Sequence, residues 1–182
     1  MNNLYKKYRE EVIPALKEEF GFNNVNQVPR IQKLVINVGV GKFAKEPNYI
    51  ENVEKTLNKI TGQKTVRTKA KKAISNFKLR AGMDVGVMVT LRGKRMYDFL
   101  EKLVSITFPR IKDFRGITDS GFDKKGNFSF GFKESLAFPE IRPDEIEKSH
   151  GLEINISTTA NNKAEGKALL QKIGFPFVDK IK

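Results

Sequence analysis

Residues 55–97 read KTLNKITGQKTVRTKAKKAISNFKLRAGMDVGVMVTLRGKRMY, and two patterns overlap in them. The first is alternation. Val85, Val87, Val89 and Leu91 occupy every second position, with Gly86, Met88, Thr90 and Arg92 between them. That period predicts a strand over Val85–Arg92 with one apolar face. Gly93 then turns the chain into a helix, where Met96, Phe99, Leu100, Leu103 and Val104 recur at helical spacing. Upstream, Gln63–Lys69 reads as a shorter strand, with Thr65, Arg67 and Lys69 on one face and Lys64, Val66 and Thr68 on the other. A long basic loop, about residues 70–84 and closed by Gly82, joins the two strands.

The second pattern is charge. The segment holds Lys55, Lys59, Lys64, Arg67, Lys69, Lys71, Lys72, Lys78, Arg80, Arg92, Lys94 and Arg95, and its only acid is Asp84. It therefore carries +11 of the chain's net +13, while the remaining residues hold 22 bases and 20 acids. A concentrated field of one sign repels itself unless a polyanion lies against it. Nucleic acid is the polyanion favoured here, because Lys and Arg contacts to phosphate release condensed counterions. The interleaved apolar residues argue against a disordered basic tail.

On either side of this segment the chain alternates helices and strands. Leu4, Tyr8, Val12, Leu16 and Phe20 form a helical stripe that Pro14 should kink or split, and Gly21 should stop. Arg30–Val40 is a strand with Leu34, Ile36, Val38 and Val40 on one face and Lys33, Val35, Asn37 and Gly39 on the other. Gly39-Val40-Gly41-Lys42 does not make a Walker loop. Ile36 stands where that loop needs Gly, and Phe43 where it needs Ser or Thr. A turn using the permissive glycine backbone is expected instead. Asn48, with Glu51 three residues on, should cap a helix that buries Ile50, Val53, Leu57 and Ile60 and ends at Gly62. Pro109 should end the helix after Gly93, and 114–126 is loop-like.

Phe128, Phe130 and Phe132 alternate with Ser129 and Gly131, so the three rings share one side of a strand. Lys125-Gly126 before them suggests the RNA-recognition signature. Its register is wrong, because Asn127 and Ser129 stand where aromatics are needed, and the rings are assigned to the core. Residues 134–150 are irregular and acidic, with Glu140, Asp144, Glu145 and Glu147. Leu152–Thr159 is the last strand. Asn162 and Glu165 cap a final helix that Gly174 and Pro176 stop near Ile173. Adjacent strands in this order imply antiparallel pairing. The expected fold is one α+β domain over 1–182, with helices packed on one face of the sheet.

Composition narrows the chemistry. The 182 residues suit one packed domain, and 39% hydrophobic content with 14 Phe supports a core. With no Cys there is no disulfide scaffold and no thiolate metal site or nucleophile. Met1–Glu10 lacks the apolar run of a signal peptide, and no stretch approaches the ~20 apolar residues of a membrane span. His150 is the lone histidine and reads as structural or surface. The Glu140–Glu147 carboxylates lack calcium-loop spacing and read as a solvated loop. No cofactor is expected.

The candidate binding surface therefore comes from the strands. Asn37, Gln63 with Thr65 and Arg67, and Thr90 with Arg92 are read as lying opposite the apolar rows. Their amides, hydroxyls and guanidinium groups can reach phosphate, 2′-hydroxyls and base edges. The loop carries Lys71, Lys72, Lys78 and Arg80 around Ile74 and Phe77. It suits backbone contacts and stacking on a second RNA, or an arm that orders on binding.

The run Arg67-Thr68-Lys69-Ala70-Lys71-Lys72-Ala73-Ile74-Ser75-Asn76-Phe77-Lys78-Leu79-Arg80-Ala81-Gly82-Met83 closely resembles the bacterial large-subunit ribosomal protein five family. So do Val89-Thr90-Leu91-Arg92-Gly93, Pro109-Arg110-Ile111-Lys112-Asp113-Phe114-Arg115-Gly116 and Phe138-Pro139-Glu140-Ile141. The resemblance spans essentially the whole chain. Asp84 departs from the family's usual proline, and Lys124 from its usual glycine. The resemblance implies an α+β fold with a curved antiparallel sheet and a structural role in the large ribosomal subunit. It implies that Asn37, Gln63, Thr65, Thr90 and Arg92 lie at or near 5S rRNA, beside 23S rRNA and neighbouring central-protuberance proteins. It implies that the loop, with Lys71, Lys72, Ser75, Asn76, Phe77, Lys78 and Arg80, approaches peptidyl-site tRNA. The irregular region of about 110–147 would face a small-subunit head protein. The expected place is the cytoplasmic ribosome.

Two other classes compete. An RNA-modifying or nucleotide-hydrolysing enzyme needs a general base, metal cluster or intact phosphate loop, none of which the sequence offers. A membrane-coating protein needs an amphipathic helix with a basic polar face, whereas the first helix has mixed charge.

Overall fold

The computed structural model describes residues 3–142 and 149–178. Asp144, Glu145 and Glu147, read above as part of an acidic loop, lie outside the described residues. The elements in order are α1 (Asn3–Lys7), α2 (Ile13–Phe20), β1 (Ile31–Gly39), α3 (Pro47–Thr61), β2 (Val66–Lys69), β3 (Asp84–Leu91), α4 (Gly93–Lys102), α5 (Phe108–Arg110), β4 (Phe128–Phe132), β5 (Leu152–Thr158) and α6 (Lys163–Ile173). The strands form a five-stranded antiparallel sheet with neighbours in the order β2-β3-β1-β5-β4. The fold is α+β, as the alternating periodicities predicted.

Both helical prolines are accommodated in the same way. Pro14 is the second residue of α2 and Pro109 the second of α5. Each follows a π-helical stretch, Tyr8–Val12 and Leu103–Thr107. The stretches close with hydrogen bonds five residues back, from Ile13 N–H to the Tyr8 carbonyl and from Phe108 N–H to the Leu103 carbonyl. Widening the turn relieves the clash between a proline ring and the carbonyl four residues before it. The kink or split expected at Pro14 is thus a widened turn. Pro109 does not end its helix, which runs to Arg110.

The chain divides into two compact units. One comprises Met1–Leu34, Leu91–Phe130 and Asn155–Lys182; the other Val35–Thr90 and Gly131–Ile154. The first has an aromatic core. Phe108, Phe114, Phe122, Phe128, Phe130, Phe175 and Phe177 pack with ring centroids 4.4–6.5 Å apart. Phe128 is fully buried, as the core assignment required. Tyr8 donates from its hydroxyl to the Pro29 carbonyl at 3.1 Å, and burial pushes its phenol up to about 12. Asn162 caps α6 by accepting from Glu165 N–H at 2.9 Å, and Gly174 ends that helix in the left-handed conformation.

The second unit carries the site. Its α3 buries Ile50, Val53, Leu57 and Ile60, each worth roughly 1.5–3 kcal/mol relative to exposure. The expected cap at Asn48 is not used. The helix begins one residue earlier at Pro47, with Glu46 flanking it and no side-chain cap. Proline suits that first turn because its missing N–H would be orphaned there anyway. Gly62, at φ +63°, stops the helix where a β-carbon would be strained. Gly41–Phe43 forms the turn expected after β1, but neither Gly39 nor Gly41 has positive φ. Val40 N–H instead extends the ladder to the Val85 carbonyl at 2.9 Å. In this unit Phe132 packs edge-on to Phe138, 5.5 Å between centroids.

Candidate nucleic-acid interface

Strand register decides which side chains share a face. β2 pairs antiparallel with β3, matching Val66 to Met88, Arg67 to Val87 and Thr68 to Gly86. Val87 is fully buried, so the Val87 face is the core face. Arg67 points to that side. It grips Glu54 of α3 with both ends of its guanidinium, Nε to Oε1 at 2.9 Å and Nη2 to Oε2 at 2.7 Å. Its third nitrogen, Nη1, lies 3.4 Å from Asp84 Oδ2. The hydrogen bonds from Arg67 hold the Glu54 carboxyl below its usual range, and Glu54 and Asp84 raise the Arg67 guanidinium further above its own.

This corrects the face assignment of two residues. Arg67 and Thr65 do not lie opposite the apolar row. Thr65 precedes the strand, is only 7% exposed, and donates its backbone N–H to Asn58 Oδ1 of α3 at 2.9 Å. The alternation of β2 is real, but polarity misleads. This strand meets α3 through an ion pair rather than through aliphatic packing, so Arg67 faces inward while Val66 and Thr68 face out.

The opposite face holds Asn37 of β1, Gly86, Met88 and Thr90 of β3, and Val66 and Thr68 of β2. A β-carbon placed on Gly86 would lie 2.5 Å from Thr68 Oγ1 and 3.6 Å from Asn37 Oδ1. Two polar tips thus converge over bare backbone. Val66 is 62% exposed, and Asn37, Thr68, Met88 and Thr90 are half-buried. Gln63 donates its side-chain amide to the Thr90 carbonyl at 3.0 Å, at the margin of the same strands. The face offers amide and hydroxyl groups around an apolar floor, a combination that fits base edges and riboses. Arg92 belongs to the other unit, where it is exposed immediately before α4.

The basic loop is a hairpin with its own framework. Ala70 N–H donates to the Met83 carbonyl and Gly82 N–H to the Ala70 carbonyl, at 2.8 and 2.9 Å. Farther out, Ile74 and Leu79 exchange backbone hydrogen bonds of 3.0 and 3.1 Å. Ser75–Phe77 makes a short helical turn at the tip, closed by Lys78 N–H to the Ser75 carbonyl. Lys78 itself is left-handed at φ +53°, which costs a non-glycine residue about 1 kcal/mol. Lys71, Lys72, Ser75, Asn76, Lys78 and Arg80 are exposed, and Phe77 is 70% exposed. Tip, ring and cations together present a stacking surface among positive charges.

Other chemistry is thin. Among the described residues no group of three or more His, Asp or Glu is placed to hold a metal ion, and no helix is long and apolar enough to cross a membrane. His150 is buried, and desolvation lowers its pKa, which keeps the ring neutral at pH 7.

Fold and site together define an α+β protein that carries an exposed cationic hairpin and a polar sheet face. A family model described as ribosomal protein L5 matches residues 24–80, and the model of the same family's C-terminus matches residues 84–177. The chain is 52% identical over 174 residues to the large ribosomal subunit protein uL5 of Fervidobacterium nodosum, covering 96% of this chain and 95% of that one. It is 53% identical over 176 residues to uL5 of Chloroflexus aurantiacus, covering 97% and 98%. It is 51% identical over 170 residues to uL5 of Microcystis aeruginosa, covering 93% and 95%. The chain belongs to the ribosomal protein L5 family, and it is a structural protein rather than an enzyme.

Sequence reasoning missed Val66 and Thr68 as members of the outer face. The missing signal was the pairing of Arg67 with Val87, which places Arg67 on the core side and its neighbours Val66 and Thr68 on the other.

Proposed function

We propose that this protein is a structural constituent of the large ribosomal subunit that binds 5S rRNA on the outer face of β1, β3 and β2. Asn37 and Thr90 read the RNA there, with Gln63 at the margin and Arg92 supplying a phosphate contact. Thr65 and Arg67 support the face from beneath. The loop from Lys71 to Arg80 meets tRNA in the peptidyl site, with Phe77 as its stacking group. The sheet face and loop sit beside 23S rRNA and neighbouring central-protuberance proteins. Region 110–147 faces a small-subunit head protein. The protein works in the ribosomes of the cytoplasm.

The observation that carries this reading is the segregation of surfaces within one unit. A polar, nearly uncharged row of Asn37, Thr68 and Thr90 lies on the sheet, and the exposed cations lie on the adjoining hairpin. Chemical footprinting of 5S rRNA with purified protein tests it. Asn37→Ala and Thr90→Val should lose protection at discrete nucleotides, while the Lys71→Gln/Lys72→Gln pair keeps it. The reverse pattern would overturn the division of labour.

A further inference from the structure

A cleft of about 640 Å³ lies against the basic hairpin, lined by Lys45, Ser75, Lys78, Leu79, Arg80 and Met83. Three of these six are cations, one is a hydroxyl, and none is a carboxylate. Lys45 comes from the connection between β1 and α3, far from the loop in sequence. The other five belong to the loop and its closing strand end. Like charges gathered around one cleft repel each other unless an anion sits among them. The hairpin already fixes Lys78 and Arg80 there. The Ile74–Leu79 pair, the left-handed Lys78 and the Arg80 N–H donated to Met83 Sδ at 3.2 Å hold the lining backbone.

We infer that Lys45, Lys78 and Arg80 form a phosphate site, which takes a backbone phosphodiester of the RNA that the hairpin engages. This rests on the reading of the hairpin as an RNA contact and adds to it a residue, Lys45, from outside the cationic segment. Arg80 supplies a planar fork suited to two phosphate oxygens, while Lys45 and Lys78 supply point charges from opposite sides in sequence. Ser75 adds a hydroxyl. The volume exceeds one phosphate and leaves room for the adjoining nucleotide, within the roughly 300–1,000 Å³ of ordinary ligand sites. The four polar lining residues are all exposed, so a strand can pass along the cleft.

The test uses the full-length protein, isotope-labelled, with pyrophosphate as the small probe. Backbone amide signals of Lys45 and of 75–83 should shift together, and Lys45→Gln should abolish the shifts without altering the rest of the spectrum. In filter binding, Lys45→Gln should lower affinity for deacylated tRNA roughly three- to tenfold and reduce the log–log salt slope by about 0.7–0.9, with 5S rRNA affinity unchanged. Absent shifts, or shifts that survive Lys45→Gln, overturn the site. If the site is wrong but the RNA reading right, tRNA binds and ignores Lys45→Gln. If pyrophosphate binds through Lys45 but tRNA binds no better than bulk RNA, the phosphate chemistry stands and its RNA source is overturned.

Discussion

Arg67 and Arg80 lie in the same cationic segment, yet the structure uses them in opposite ways. On β2, Arg67 is held by Glu54 and Asp84 and ties α3 to the start of β3. On the hairpin, none of the ion pairs among the described residues involves Lys71, Lys72, Lys78 or Arg80. A cation matched by a carboxylate has little left to offer a phosphate. An unmatched one keeps its full field. Counting charge along the sequence therefore overstates the binding power of the strand and describes that of the loop well. Asp84 heightens the contrast, because it sits at the hairpin's base and turns toward Arg67 rather than toward the loop cations.

The largest effect should come from the loop. Replacing Lys71, Lys72, Lys78 and Arg80 with Gln should lower the log–log salt slope of tRNA binding by roughly 3, at about 0.7–0.9 per lost phosphate contact. Arg67→Gln should leave that slope unchanged. Equal slopes for the two variants would erase the distinction between strand and loop.

Next comes the support beneath the face. Leu57 is fully buried in α3, and Leu57→Ala should destabilise the protein by roughly 2–5 kcal/mol in urea melts. It should weaken 5S binding only in proportion to the fraction unfolded.

Asn37→Ala and Thr90→Val remove single hydrogen-bonding groups from the outer face. Each should cost about 1 kcal/mol of 5S affinity, or some fivefold, with no change in salt slope. A changed slope would mean that this face binds through charge, as the hairpin does.

The smallest effect tests the clamp on Arg67. The folded Glu54 carboxyl is depressed, so its stabilisation is present above the unfolded Glu value of about 4.3 and is lost as pH falls through the folded value. Thermal melts of the wild type and Arg67→Gln should differ by a constant amount from pH 7 to about pH 5 and converge in stronger acid. A gap that persists at pH 3 would show that Arg67 acts by packing instead.

Much of the fold is readable from residue order. The 2.0 and 3.6 periods locate β1, β3, α3 and α4, because those elements bury aliphatic rows such as Leu34-Ile36-Val38 and Ile50-Val53-Leu57, while cap and stop residues locate α6. Boundaries fail where a proline has two roles. Pro47 begins the helix for which Asn48 is the predicted cap. Pro109 lies inside the helix it is predicted to end, because a π turn ahead of it absorbs the ring. Faces fail on β2. Its core side is polar, and only Glu54, thirteen positions upstream, explains why.

Residue order alone was enough for the α+β succession of elements, the concentration of charge in one segment and the family to which the chain belongs. These follow from local periodicity, composition and long runs of matching residues, none of which requires knowing what touches what. Contacts in three dimensions were needed to show that Arg67 is clamped, that Thr68 and Asn37 converge over Gly86, and that Lys45 joins the hairpin's cleft. Each of those depends on side chains brought together from distant positions, where strand register and helix placement set the contact and alternation alone cannot.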